Sequence, residues 1–172
     1  MLFEKQKKHI FRKESKHMQE NFEKTLVLIK PDGVQRKLIG KIINRFENRG
    51  LQLIGMKMVQ VSKELAESHY KEHLGKSFYA GLVQYITAAP VIAMIWAGEH
   101  AIEAVRQTVG KTNPLDAEVG TIRHDYALLT SRNLIHASDS PTTAEREITL
   151  WFKPEEICEW DDQQHPWIFG KN

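Results

Sequence analysis

Two uninterrupted apolar runs constrain this chain more than any other feature: Thr25-Leu-Val-Leu-Ile29 and Pro90-Val-Ile-Ala-Met-Ile-Trp-Ala97. Both are far shorter than the roughly 18 to 20 apolar residues of a membrane span. The first is rich in β-formers and stops at the turn signal Lys30-Pro31-Asp32-Gly33. Each reads as a buried strand. After the first, Ile39, Ile42, Ile43 and Phe46 recur at helical spacing, and Gly50 supplies a left-handed stop. Leu51 to Val61 alternates imperfectly around Gly55, which predicts a bulged strand, and Ser62 caps a polar helix to about Tyr70. Helices are expected over Phe78 to Thr87 and Glu99 to Val109. Gly110 to Asp125 has no periodicity and reads as a loop of a length usually kept for function. A short strand is expected over Tyr126 to Thr130, and Ser140-Pro141 opens a helix reaching about Phe152.

The length of 172 residues suits one domain, and 41% apolar with 27% charged residues is an ordinary soluble balance. Cys158 is the single cysteine, so neither an intrachain disulfide nor a thiolate metal cluster can form. That fits a reducing compartment, and a cytoplasmic location with no membrane partner is expected. The formal net charge is only +2, but basic residues crowd into Met1 to Lys24. This segment lacks the apolar stretch of a secretory signal and carries too many acids for a transit peptide. Residues 1–22 are therefore expected to be a flexible extension of a domain over 23–172, or else a basic arm that touches nucleic acid or a neighbouring subunit. The tail from Lys153 onward, with Trp160 and Trp167, is expected to pack over a neighbouring surface.

The chemistry concentrates in Asn133-Leu-Ile-His-Ala-Ser-Asp-Ser140. Imidazole is the side chain most often available as a neutral nucleophile near neutral pH, and Asn, Ser and Asp around His136 could fix its tautomer. In the following helix Ala144, Ile148 and Trp151 form the apolar face, with Glu147 at its border and Arg146 pointing away. Glu147 is either an edge carboxylate reaching water or an acceptor that orients His136. Gly75-Lys-Ser77 and Gly110-Lys-Thr112 imitate the end of a phosphate loop but lack its earlier glycine. His69 and His73 share a helical face without a third metal ligand. Lys30, Arg106, Thr112 and Arg123 remain as dispersed phosphate-compatible groups at element ends and in the long loop.

Taken in order, TLVLIKPDG (25–33), Arg36, RFE (45–47), His69-Tyr70, FYAGLV (78–83), Thr112-Asn-Pro114, Thr121-Ile-Arg123 and the His136 octapeptide resemble the nucleoside diphosphate kinases over about residues 24–168. The resemblance implies an α/β (α+β) fold, a ferredoxin-like βαββαβ sandwich. Its four-stranded antiparallel sheet would be covered by helices, with an extra helical pair between the second and third strands. It implies ping-pong transfer of a γ-phosphate between nucleotides through a phosphohistidine on His136, oriented by Glu147 directly or through Ser138. By the same resemblance Arg106, Thr112 and Arg123 hold phosphates, Mg²⁺ bridges the β and γ groups and is held mainly by the nucleotide phosphates, and Lys30 and Asn133 meet the sugar hydroxyl and phosphate. Tyr70 would stand beside the γ-phosphate, and Phe78 would stack on any base. Nucleoside tri- and diphosphates would be the substrates, and a homo-hexamer, with a tetramer second, the assembly, the 110–125 loop packing between subunits. Ala137 and His124 stand where the family usually has glycine. The rival expectation is a regulatory or nucleic-acid-binding protein on the same fold.

Overall fold

Side chains alternate between the two faces of a strand, so a strand covered on both faces reads as an unbroken apolar run. The computed structural model describes residues 21–162 and 165–168. The expected extension, but for its last two residues, lies outside the described residues. β1 (Phe22–Ile29) and β3 (Val91–Glu99) form the centre of an antiparallel sheet ordered β2-β3-β1-β4, with β2 spanning Gln52–Val59 and β4 spanning Ile135–Ala137. Val27, Ile29, Met94 and Trp96 point into one core, against α2 (Ile39–Asn48), α5 (Ala101–Val109) and Ile122 of α6 (Ile122–Tyr126). Leu26, Leu28, Ala93 and Ile95 point into the other, against α3 (Lys63–His69), α4 (Tyr79–Thr87) and Trp151 of α7 (Pro141–Trp151).

The order is thus βαββαβ with α3 and α4 inserted between β2 and β3, as the resemblance implied. Gly50 ends the α2 segment at φ +83°, and the register slips between Leu53 and Gly55 where the bulge was expected. Ser62 caps α3 by accepting from the amide of Leu65 at 3.2 Å. Lys30 to Gly33 runs straight into a single helical turn, α1 (Pro31–Gln35), with proline at its start. A final turn, α8, covers His165–Ile168. No helix of the described residues is long and apolar enough to cross a membrane.

The segment read as a loop to Asp125 turns helical at Ile122, where α6 begins, and the strand expected after it is missing. Residues 126–130 form no strand: Tyr126 closes α6, and Leu129 makes only an isolated bridge with Arg132. The Thr121 hydroxyl caps α6, and the side chains of Leu128 and Leu129 lie exposed, outside both cores. The fourth strand lies instead inside the octapeptide, where Ile135, His136 and Ala137 pair with β1.

Phe46 is fully buried, its ring 5.2 Å from that of Trp96. Phe46→Ala should cost about 3–5 kcal/mol of stability, seen as a lower urea midpoint with an unchanged slope.

Candidate active site

The pairing of β4 with β1 decides where the histidine points. His136 stands opposite Leu28, and the Ser138 amide donates to the Leu26 carbonyl at 3.1 Å. Cross-strand partners share a face, so His136 and Ser138, two residues apart, both face the layer containing α3, α4 and α7. Ile135 faces the opposite core. Helix α7 begins at Ser140, whose hydroxyl accepts from the Thr143 amide at 3.2 Å, and its phase buries Ala144, Glu147 and Trp151 together.

Glu147 is therefore no edge residue reaching water: it is 2% exposed. Both its carboxylate oxygens lie 3.0 Å from His136 Nε2, and the Ser138 hydroxyl donates to Oε2 at 2.6 Å. Burial pushes the carboxyl pKa up, but the hydrogen bonds from His136 and Ser138 and the positive charge His136 can carry outweigh it, so Glu147 is held below its usual range. A carboxylate at Nε2 places the imidazole proton there and leaves the lone pair on Nδ1.

His136 lines a cleft of about 1140 Å³ that also brings together Lys30, Tyr70, Phe78, Arg106, Thr112, Arg123 and Asn133. Arg123 is anchored from behind: its guanidinium donates to the carbonyls of Gly110 and Ile135, each at 2.8 Å. Gly110 presents that carbonyl from φ +86°, a conformation glycine adopts without strain. Burial, then the charge of Arg106, lowers the Arg123 pKa to about 10. Lys30 Nζ donates to Asn133 Oδ1 at 2.6 Å, and the Asn133 amide donates to the Thr112 carbonyl at 2.9 Å. Burial, then Arg123, lowers Lys30 to about 8. Tyr70 is buried, and burial and Glu147 both push its hydroxyl pKa up, so it stays a donor. Phe78 stands at the mouth, 52% exposed.

Several positions differ from the sequence reading or were absent from it. Arg146 does not point away: it lines the cleft and pairs with Glu72 at 3.2 Å, because its long side chain turns toward the helical pair across the opening. His69 and His73 do not share one helix: His69 ends α3 and His73 lies in a separate 3-10 turn, Lys71–His73. His69 is buried, with its ring centroid 4.6 Å from that of His136. Asp32 accepts from the Tyr85 hydroxyl and, at 3.1 Å, from the amide of Leu134, which holds φ +70° at the entry to β4. The only sequence signal for Asp32 was its place in Lys-Pro-Asp-Gly. Ala137 sits in extended pairing with Val27, so its methyl group meets no glycine-only conformation. His124 lies on α6, 3.3 Å from Asp125.

Cations from separate segments and a carboxylate-held histidine thus line one cleft of this sandwich. The chain belongs to the nucleoside diphosphate kinase family, whose profile matches residues 23–157. It is 56% identical over 147 residues to a nucleoside diphosphate kinase of Synechococcus sp. (strain JA-3-3Ab), covering 86% of this chain and 99% of that one. It is 52% identical over 162 residues to nucleoside diphosphate kinase 2, chloroplastic, of Spinacia oleracea, covering 94% of this chain and 70% of that one. Among solved structures, a halophilic nucleoside diphosphate kinase from Halobacterium salinarum in complex with CDP superposes with a TM-score of 0.83 at 47% identity, covering 85% of this chain and 97% of that one.

The Lys30 pKa, about 8 against 10.5 unperturbed, carries a testable sign. The fold disfavours the charged amine, so stability rises as pH climbs from about 8 toward the unfolded value. An anion reverses that preference. ADP binding at pH 8 should therefore take up about half a proton, measured as a buffer-dependent calorimetric enthalpy, and affinity should fall about tenfold per pH unit well above 8. Lys30→Arg should abolish the proton uptake.

Proposed function

We propose that this protein reversibly transfers the γ-phosphoryl group of a nucleoside triphosphate to a nucleoside diphosphate through a phosphohistidine on His136. The observation that carries the reading is the Glu147 carboxylate on Nε2, which leaves Nδ1 as the nucleophile. Nδ1 attacks the γ-phosphorus, an N–P bond forms, the bond to the β–γ bridging oxygen breaks, and the diphosphate leaves. The ring keeps its Nε2 proton throughout, and Glu147 offsets the positive charge that develops there. A second diphosphate reverses the steps. The P–N bond is labile, so the group leaves about as readily as it arrives.

Phosphoryl transfer depends on position and on offsetting oxygen charge. Arg106 and Arg123 supply that charge with Thr112, and the carbonyls behind Arg123 spare it reorganisation. Lys30 and Asn133, already joined, meet the sugar hydroxyl and phosphate. Tyr70 donates beside the γ-phosphate. The exposed ring of Phe78 stacks on the π face that every base has, which makes base specificity broad.

Mg²⁺ fits the cleft as an ion held chiefly by nucleotide phosphates. Glu147 is committed to His136 and Ser138, and Glu72 to Arg146. Asp139 is the remaining cleft carboxylate, kept ionised by hydrogen bonding to Thr143. When bound, the ion neutralises charge on the β and γ groups.

For assembly the reading is a homo-hexamer. Leu115 and Val119 stand 75% and 84% exposed in the 110–125 segment, on either side of buried Ala117 and just after buried Pro114. Light scattering at the mass of six chains supports it; four chains would replace it with a tetramer. For location the reading is the cytoplasm, on the single exposed cysteine. The plant relatives named chloroplastic favour a plastid as the second reading, which cell fractionation distinguishes.

Incubation with Mg²⁺ and γ-labelled ATP should give an acid-labile, alkali-stable label that chases onto added GDP. A wild-type protein that never labels, or a His136→Ala variant that labels equally, overturns the reading. Glu147→Gln should lower kcat/KM on the order of 10²- to 10⁴-fold, by analogy with the acid that orients a catalytic histidine in proteases.

A further inference from the structure

Trp151 lies one helical turn after Glu147, and its indole N–H donates to His69 Nδ1 at 3.2 Å. That same nitrogen stands 3.9 Å from Glu147 Oε1. The rings of His69 and His136 meet nearly at right angles, and His69 is 4% exposed. Ligand atoms of His69, His136 and Glu147 all lie within 4.8 Å of one another, a spacing that by itself would suit a metal ion. The indole argues against one. A neutral histidine that accepts at Nδ1 carries its proton on Nε2, so neither nitrogen has a lone pair left for a cation.

The same bond bears on catalysis. An Nδ1 that accepts from Trp151 cannot hold a proton to offer Glu147. Two acceptors then face each other across 3.9 Å, and the carboxylate turns to His136 and Ser138 instead. We propose that Trp151 and His69 are positioning residues that reserve Glu147 for His136: the indole locks His69 as a neutral acceptor that neither competes for the carboxylate nor sets a second positive charge beside the nucleophile. The proposal rests on the reading of His136 as the nucleophile.

The surroundings agree. Burial holds His69 down at about 3, helped by His136 on β4, Arg146 on α7 and Lys30 after β1, while Glu147 alone opposes. Tyr70, whose ring lies 4.8 Å from that of His69, stays neutral. Without the indole proton nothing would hold Nδ1 as an acceptor, and the ring, still neutral, would be free to take the other tautomer and donate from Nδ1 to Glu147.

Trp151→Phe keeps an aromatic ring and removes the N–H. Its rate of phosphorylation by γ-labelled ATP should fall about tenfold below that of the wild type at pH 6 to 8, with the His69 proton moved to Nδ1 by nitrogen-15 NMR. Adding His69→Phe to Trp151→Phe should restore the rate, because no second donor is left to compete for Glu147. No loss, a His69 proton that stays on Nε2 in Trp151→Phe, or a double variant as slow as the single one would each overturn the proposal. Nitrogen-15 NMR of histidine-labelled wild-type protein tests it without mutation: Nδ1 of His69 should be unprotonated at pH 6 to 8, and a protonated Nδ1 refutes the lock. A His136→Ala variant that still labels would remove the nucleophile assignment while leaving this readout unchanged.

Discussion

The three-residue pairing of β4 with β1 is the constraint on which the site depends. Strand side chains alternate strictly, so a register slip of one residue would send His136 into the core now filled by Ile135 and put Ile135 in the cleft. Asp32 guards the entry to that pairing by taking the Leu134 amide, and the Lys30 amide closes it from the other side on the Leu134 carbonyl at 2.8 Å. A short strand gains little from its own ladder. These side contacts hold it to one register.

From that register follows a buried carboxylate. Burying an unpaired charge is costly, and the cost is met only where good hydrogen bonds replace water. Glu147 has His136 and Ser138, and the neutral His69 beside it adds no competing proton. The cationic wall follows the same logic in reverse. Burial first, and then the charge of Arg123 on Lys30 and of Arg106 on Arg123, depresses the Lys30 and Arg123 pKa values, so a bound polyphosphate would favour their charged forms.

Much of this was legible beforehand wherever the signal was local. The unbroken runs at 25–29 and 90–97 announced central strands because alternation feeds both cores. Gly50, Gly55 and Ser62 each marked a backbone event that occurs where expected. The His-x-Ser spacing placed His136 and Ser138 on one face as soon as their segment was a strand. Reading 126–130 as that strand failed because Tyr126 to Thr130 has strand-like composition, whereas Thr121 caps a helix that consumes Tyr126 and leaves Leu128 and Leu129 without cover. Arg146 was misread because helical phase gives the direction of Cβ, and a long side chain can turn back from it to a distant partner, here Glu72.

By itself, then, the sequence determined most of the element order, the histidine octapeptide and the candidate side chains that line the cleft, because propensity, capping and alternation act over a few residues. Only the tertiary structure decided that Glu147 is buried against His136, that β4 lies within the octapeptide, and that Trp151 closes His69. Each of these depends on segments far apart in the chain meeting across the sheet, and contacts at that separation leave no period for a sequence to display.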